Sequence, residues 1–440
     1  MSISHIISPK IVMTKNPVRN ICLVVVTALT FTAVSSGEIG KAQISGKTYY
    51  VDQGTGSDYN SGTTQTSAFK TINKANQIVA AGDTIYVKNG TYQENITVKK
   101  SGTPDKWISL QAYPGQTPKV RGTQDGSISV EGSYVKVIGF DVTSSGEGSA
   151  INVGRGNHHV HIIRNIVHDS GCGGISAQET DYLTIEENIS YRNAFRSGYM
   201  CSGISIYQAK AFDDAPGFHN IIRGNISYAN ENKVTTSWGG RSFVTDGNGI
   251  IIDDFRQTQS QRFRPRYTPW TLIENNIVFN NGGRGIHIYE SDNVVVRNNT
   301  AFKNLRSGNL DGHLNGELTT YFSSNIHFYN NIAYSSSLNK KTFVDDYSSK
   351  NRWDNNLSYI GSTLVNDGHS DVKLGANNRI NVNPLFINAS TDPKLANFRL
   401  NLGSPAIDSG TTQSAASVDF DKNARPFGVG PDMGAFELRR

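Results

Sequence analysis

An excess of charge of one sign is missing from this chain of 440 residues. The formal charge is +5, but residues 1–43 carry Lys10, Lys15, Arg19 and Lys41 against Glu38, and without them it falls to +2. A basic footprint for nucleic acid belongs to a folded domain rather than to a leader, so nucleic acid is excluded as a partner. Also missing is an apolar run long enough to cross a bilayer comfortably. The run ICLVVVTALTFTAV follows three cations and reads as the core of an export signal covering residues 1–42, cleaved between Ser35 and Ala42, with Met13 as an alternative start. Cys22 is not preceded by small residues, so it is no lipoprotein anchor. The remainder is expected to be a monomer with no integral membrane segment, secreted, periplasmic or associated with the cell surface. Cysteine is scarce: only Cys172 and Cys201 lie beyond the leader.

A helical period is absent from nearly the whole chain. What stands in its place is a repeat in which a short apolar strand ends at Asn and an aromatic ring follows three residues later. The Asn residues are 165, 188, 225, 276, 299, 331 and 356, and the rings are His168, Tyr191, Tyr228, Phe279, Phe302, Tyr334 and Tyr359. A unit of little more than twenty residues cannot bury its own apolar face and must stack on its neighbours. Equivalent residues of stacked strands sit about 4.8 Å apart, where side-chain amides can bond up and down the stack. The expected fold is therefore all-β, a parallel β-helix solenoid over residues 43–375, with an irregular C-terminal cap over 376–440. One helix is expected ahead of it, in SAFKTINKANQIVAAGD, with Ala68, Ile72, Ala75 and Val79 on one face and Gly82 beyond its end. It would cover the open end of the solenoid.

Cys172 and Cys201 each lie three residues before an Ile that opens a strand. Adjacent coils would bring their Cα atoms within disulfide range; two stacked buried thiols are the alternative.

The segment from Tyr49 to Gly122, through YYVD, SAFKTINKA, AGDTIYVKNGTYQE and ISLQAYPGQTPKVRG, resembles the entry region of secreted bacterial β-helix proteins of the pectate lyase type, notably polysaccharide lyase family nine. The resemblance implies a right-handed β-helix and an extracellular glycan substrate. NPLFINAS, FRLNLGSPAIDSG, ARPFG and PDMGAFE resemble the closing module of exported bacterial β-helix proteins, some of them surface-anchored. Where family nine carries an acidic calcium cluster of the type SDDGxD and a Lys base on a neighbouring coil, this chain has TDGNGIIIDDF and no matching Lys; the Asp-Pro-His signature of alginate epimerases is absent.

Function is expected where the coil is interrupted, because long loops cost little stability and carry binding groups. The intervals 188–225 and 225–276 hold the large insertions, with Arg196, Tyr199, Lys210, Asp213, Asp214, Lys233, Trp238, Arg241, Arg256, Arg262, Arg264, Arg266, Tyr267 and Trp270. Beside them, strands align by Gly-Ile at Gly174, Gly203, Gly249 and Gly285. Alternation then turns two rows outward, Ser176, Ser205, Ile251, His287 and Gln178, Tyr207, Asp253, Tyr289, followed at the strand ends by Glu179, Gln208, Asp254 and Glu290.

β-Elimination on a uronate needs its carboxylate neutralised and a base for the C5 proton. Asp246, Asp253, Asp254 and Glu290 could hold Ca²⁺ for the first task. His287 and Tyr289 could exchange protons, with Arg256 or Lys210 as base or carboxylate ligand and Asp253 within the catalytic set. Tyr207, Lys210, Trp238, Arg241, Arg264 and Arg284 are candidates for gripping an anionic polysaccharide. Glycoside hydrolysis would instead pair Asp253 or Asp254 with Glu290. Epimerisation shares the first half of the lyase chemistry, and a non-catalytic glycan-binding β-helix is the alternative outside catalysis. Asp253 and Asp254 could also merely end a strand and cap a turn, and His161 and His313 are weaker candidates than His287.

Overall fold

A computed structural model describes residues 46–439 apart from 124–125, 199–200, 260–263, 313–314 and 366–368. The leader 1–42, Tyr199, Arg262 and His313 lie outside the described residues.

Each coil lays down three short strands that pair in parallel with those of the coils before and after. The coil from Asp181 is representative, with Asp181–Glu186, Ile189–Tyr191 and Ile204–Tyr207. Stacking yields a first sheet of eleven strands, from Thr48–Val51 to Arg352–Asp354. The second sheet runs from Thr91–Tyr92 to Leu357–Tyr359 and the third from Ile96–Val98 to Ser362–Val365, ten strands each. The fold is the parallel β-helix that the repeat requires.

Strands end where one residue takes the left-handed backbone region, which turns the chain. Glu187, Asn275, Asn298, Asn330 and Asn355 do so, each immediately before a ladder Asn, with φ between 51° and 58°. Asn tolerates that region better than most residues, which accounts for the Asn-Asn doublets at 275–276, 298–299, 330–331 and 355–356. The second Asn of each doublet turns inward. Nδ2 of Asn165, Asn188, Asn225, Asn276, Asn299, Asn331 and Asn356 donates to Oδ1 of the next rung at 2.9–3.1 Å, and the series ends on an eighth, Asn378.

A second ladder, unread in the sequence, lies five residues further on at Asn193, Asn230, Asn281 and Asn304. Its signal was present as a second Asn at constant spacing. Its amides crowd the glycines that open the third-sheet strands: a Cβ at Gly285 would lie 2.8 Å from Asn304 Nδ2. One coil later the aligned position is Glu317, whose carboxylate takes the place of the missing rung and accepts from Asn304 N and Nδ2. Burial pushes Glu317 up to about 8. Its folded pKa lies above the ordinary carboxylate value, so folding takes up a proton. That contribution to stability is complete below the unfolded pKa and is lost as pH rises through the folded one. Denaturation midpoints of the wild-type protein are expected to fall between about pH 4.5 and pH 8, and the Glu317→Gln variant is expected to lose that part of the slope.

Inward residues form columns along the solenoid. One runs through Ile85, Leu110, Val137, Ile162, Ile185, Ile222, Ile273 and Val296 to Phe328 and Trp353, all buried. The last two rings stack at 3.7 Å. The helix is Ile72–Ile78, capped by Thr71, with Ala68, Ile72, Ala75 and Val79 buried. Phe386, Phe398, Leu400, Met433 and Phe436 of the irregular C-terminal stretch pack against Phe279, Phe302, Ile332 and Leu357, covering the outer side of the second sheet. Cys172 and Cys201 form the disulfide, with Cα atoms 4.9 Å apart, so of the two readings the bridge holds.

Candidate active site

The third sheet keeps the register of the Gly-Ile alignment. Gln178, Tyr207, Asp253 and Tyr289 pair in one outward row, and Ser176, Ser205, Ile251 and His287 in the other. The first row continues to Tyr321 and Asp346. That extension escaped the alignment because Glu317 stands where the earlier strands have Gly.

The extra residues leave the coil at both edges of this face. Residues 192–203 and 229–249 connect the second sheet to the third, and residues 208–217 and 254–269 connect the third to the first. The longest forms a hairpin, Thr236–Trp238 with Arg241–Phe243. It is fastened to the coil after next by Val244 N to Asn309 O at 2.8 Å, Asp311 N to Val244 O at 2.7 Å and Asn309 Nδ2 to Ser242 O at 2.6 Å.

Between hairpin and sheet lies a cavity of about 300 Å³. Ile251, Asp253, His287 and Tyr289 line it from the sheet, and Asp246, Arg284 and Asp311 from the adjoining turns. Thr236, Ser237, Phe243 and Thr245 belong to the hairpin side, and Gln259 enters from the opposite insertion. A more open cavity of about 670 Å³ adjoins it through Phe243 and Asp311, with Arg241 in its lining.

The electrostatics of the smaller cavity separate its groups. Burial and the neighbouring Arg284 hold His287 well below the ordinary imidazole range, so the ring is neutral. Its Nδ1 has no hydrogen-bond partner among the described residues. Arg284 is itself buried, and one Nη donates to Asp311 O at 3.1 Å. Burial, with Glu290 and Asp253 adding negative charge, raises the Tyr289 phenol far above neutral pH. Asp253 is pushed well above the ordinary carboxylate range by burial and then by Asp246, despite a 2.9 Å bond from Gln259 Nε2. Tyr207, further along the row, is raised to about 12 by burial and the acidic groups beside it.

Of the residues singled out in the sequence, His287, Tyr289, Asp253, Asp246 and Arg284 meet in this cavity, and Arg241 lines the adjoining one. Trp238 pairs with Arg241 across the hairpin. The others are engaged elsewhere. Arg256 grips Asp292 through Nε at 2.9 Å and Nη2 at 2.6 Å, because it follows a left-handed corner that turns it away from the strand face. Arg264 is paired with Glu179 at 2.7 Å, and Lys210 borders a separate hollow with His158 and Phe212. Asp254 is the corner residue itself: its carboxylate accepts from Thr258 N, Gln259 N and Gln208 Nε2, the work of a turn cap. Glu290 accepts from Thr258 Oγ1 and Gln259 Nε2.

The four acids expected to hold Ca²⁺ are thus divided between the cavity and the turn behind it. Among the described residues no three His, Cys, Asp or Glu side chains are arranged to hold a metal ion. Ca²⁺ requires several convergent oxygens, and this donor set does not fit it. Phe243, Gln259 and Asp311 were not foreseen; they come from insertions or from a coil with no alignable strand.

A family described as Pel9A-like, right-handed β-helix region, matches residues 49–316. Pectate lyase L of Dickeya chrysanthemi is 24% identical over 421 residues, covering 87% of each chain. The solved structure of pectate lyase Pel9A superposes with a TM-score of 0.56 at 20% identity, over 89% of this chain and 96% of that one. A rhamnogalacturonan lyase superposes with a TM-score of 0.50 at 20% identity, over 81% and 97%. The two superpositions speak for the fold.

Proposed function

The chain belongs to the Pel9A-like right-handed β-helix family, and from that premise we propose that it is an exported polysaccharide lyase cleaving an anionic, uronate-containing glycan by β-elimination. Export is supported by the leader pattern and by the Cys172–Cys201 bridge, since disulfides persist in oxidising compartments. One observation carries the chemistry: a buried cation, an unprotonated imidazole and a protonated phenol line the same cavity.

Arg284 binds the uronate carboxylate and offsets its charge, which makes the C5 proton acidic. His287 accepts that proton. The C5–H electron pair becomes the C4–C5 double bond as the C4–O bond breaks. Tyr289, still protonated, donates to the departing oxygen, with Asp253 beside it in the same cavity. No step is routed through Ca²⁺: Asp253, Asp254 and Glu290 are engaged by Thr258 and Gln259, and among the described residues no three acids are arranged to hold a metal ion. A glycoside hydrolase reading rests on Asp253, whose raised pKa suits a general acid.

Incubation with pectate, rhamnogalacturonan and alginate, followed by ultraviolet absorbance of unsaturated uronate ends, tests the proposal. Absorbance is expected to rise at the same rate with and without chelator. New reducing ends without absorbance would favour hydrolysis, and activity lost on chelation and restored by Ca²⁺ would remove Arg284 from the role given to it.

A further inference from the structure

Beyond the cavity, the outward row carrying Asp253 and Tyr289 leads toward the C-terminal end of the solenoid through a continuous set of rings. Tyr289 stacks on Tyr321 at 5.9 Å with 16° between planes. Tyr321 meets Phe322 at 4.4 Å and Tyr347 at 5.7 Å, and Phe322 meets Tyr347 at 4.9 Å. Tyr347 lies flat on His369 at 4.2 Å and 11°. The far end is the open one: Tyr347 is 42% exposed and the side chain of His369 49%. His369 Nδ1 lies 3.4 Å from the carboxylate of buried Asp346, and its Nε2 lies 3.4 Å from Tyr347 Oη. Phe322 and Tyr347 both occupy the left-handed backbone region, with φ of 48°. They end equivalent strands on successive coils, so two corners present rings side by side.

Most large apolar side chains in this fold are inside; rings left half exposed in a line, starting from a polar cavity, need an occupant that is polar at its edges and apolar on its faces. A pyranose has that character: its C–H face lies on the negative face of an aromatic ring while its hydroxyls stay in water. We infer that Tyr321, Phe322, Tyr347 and His369 form a binding track for the polysaccharide, holding the sugars on one side of the scissile bond across successive coils. This rests on the lyase reading for the position of the scissile bond, but not for the track's existence. It makes the enzyme selective for long chains, because short ones fill the cavity and leave the track empty.

The test uses the full-length protein and Tyr347→Asn, a change that suits the left-handed backbone there, with His369→Ala as a second variant. On the polymer that is cleaved, KM is expected to rise about tenfold in each variant, the loss of one stacked ring, while kcat is unchanged. On an oligosaccharide short enough to occupy the cavity alone, neither constant is expected to change. An unaltered KM on polymer, or equal losses on polymer and oligosaccharide, overturns the track. If no cleavage occurs, retardation in gels containing each polymer separates the two ideas. Weaker retardation of both variants supports the track and sinks only the lyase reading; equal retardation of wild type and variants, or none, overturns the track.

Discussion

Replacing His287 by Asn is expected to lower kcat by about two to four orders of magnitude with little change in thermal midpoint. The imidazole sits on a strand already paired on both sides, and Asn fits the same surface without leaving a buried charge. The pH profile supplies a second readout. The depressed pKa of His287 displaces the acid limb of kcat/KM, which reports the free protein, below the ordinary imidazole value of about 6.5. The linkage has the same sign. Because the unfolded chain binds that proton more readily, the contribution to stability is full above the unfolded value and declines as pH falls from there toward the folded one. A kcat within about tenfold of wild type would rule out general-base catalysis by this residue, and an acid limb at the ordinary value would assign the limb to another group.

Asn276→Ala is expected to cost about 3 kcal/mol of stability, read as a shift in the denaturant midpoint. Asn276 stands in the middle of the ladder. Its Oδ1 accepts from both N and Nδ2 of Asn225, and its Nδ2 donates to Ile222 O and Asn299 Oδ1. Removal leaves the backbone N of Asn225 unpaired in a fully buried place, where an unsatisfied group bears its whole desolvation penalty, while Asn225 Nδ2 keeps Ile185 O and Arg223 O. Contacts in a solenoid run only between neighbouring coils, so the coils around 225–299 are expected to lose hydrogen-exchange protection first. A change below about 1 kcal/mol would mean that water or a neighbour replaces the rung.

Legibility in the sequence followed periodicity. Strand positions, the ladder and the register of the third sheet rest on residues that recur every second position along a strand or once per coil, and the helix face on residues three and four apart. Each recurrence is forced, because a shift by one residue would turn every apolar side chain outward. The second ladder recurs as well and was legible at the same spacing. Glu317 was not, since it replaces a glycine and completes the ladder by chemistry rather than by identity.

The site divides along the same line. From the sequence alone follow the β-helix, the face on which His287, Tyr289 and Asp253 lie, and the two coils that carry the insertions; each needs only a count along the chain. Tertiary structure alone decided that Arg284 and not Arg256 enters the cavity, that Asp254 and Glu290 cap a turn instead of facing Asp246, and that rings continue from Tyr289 to His369. Those outcomes depend on which side chains non-periodic loops bring together and on how far each is removed from water. Pairing and desolvation are properties of the packed chain, and no spacing in the sequence encodes them.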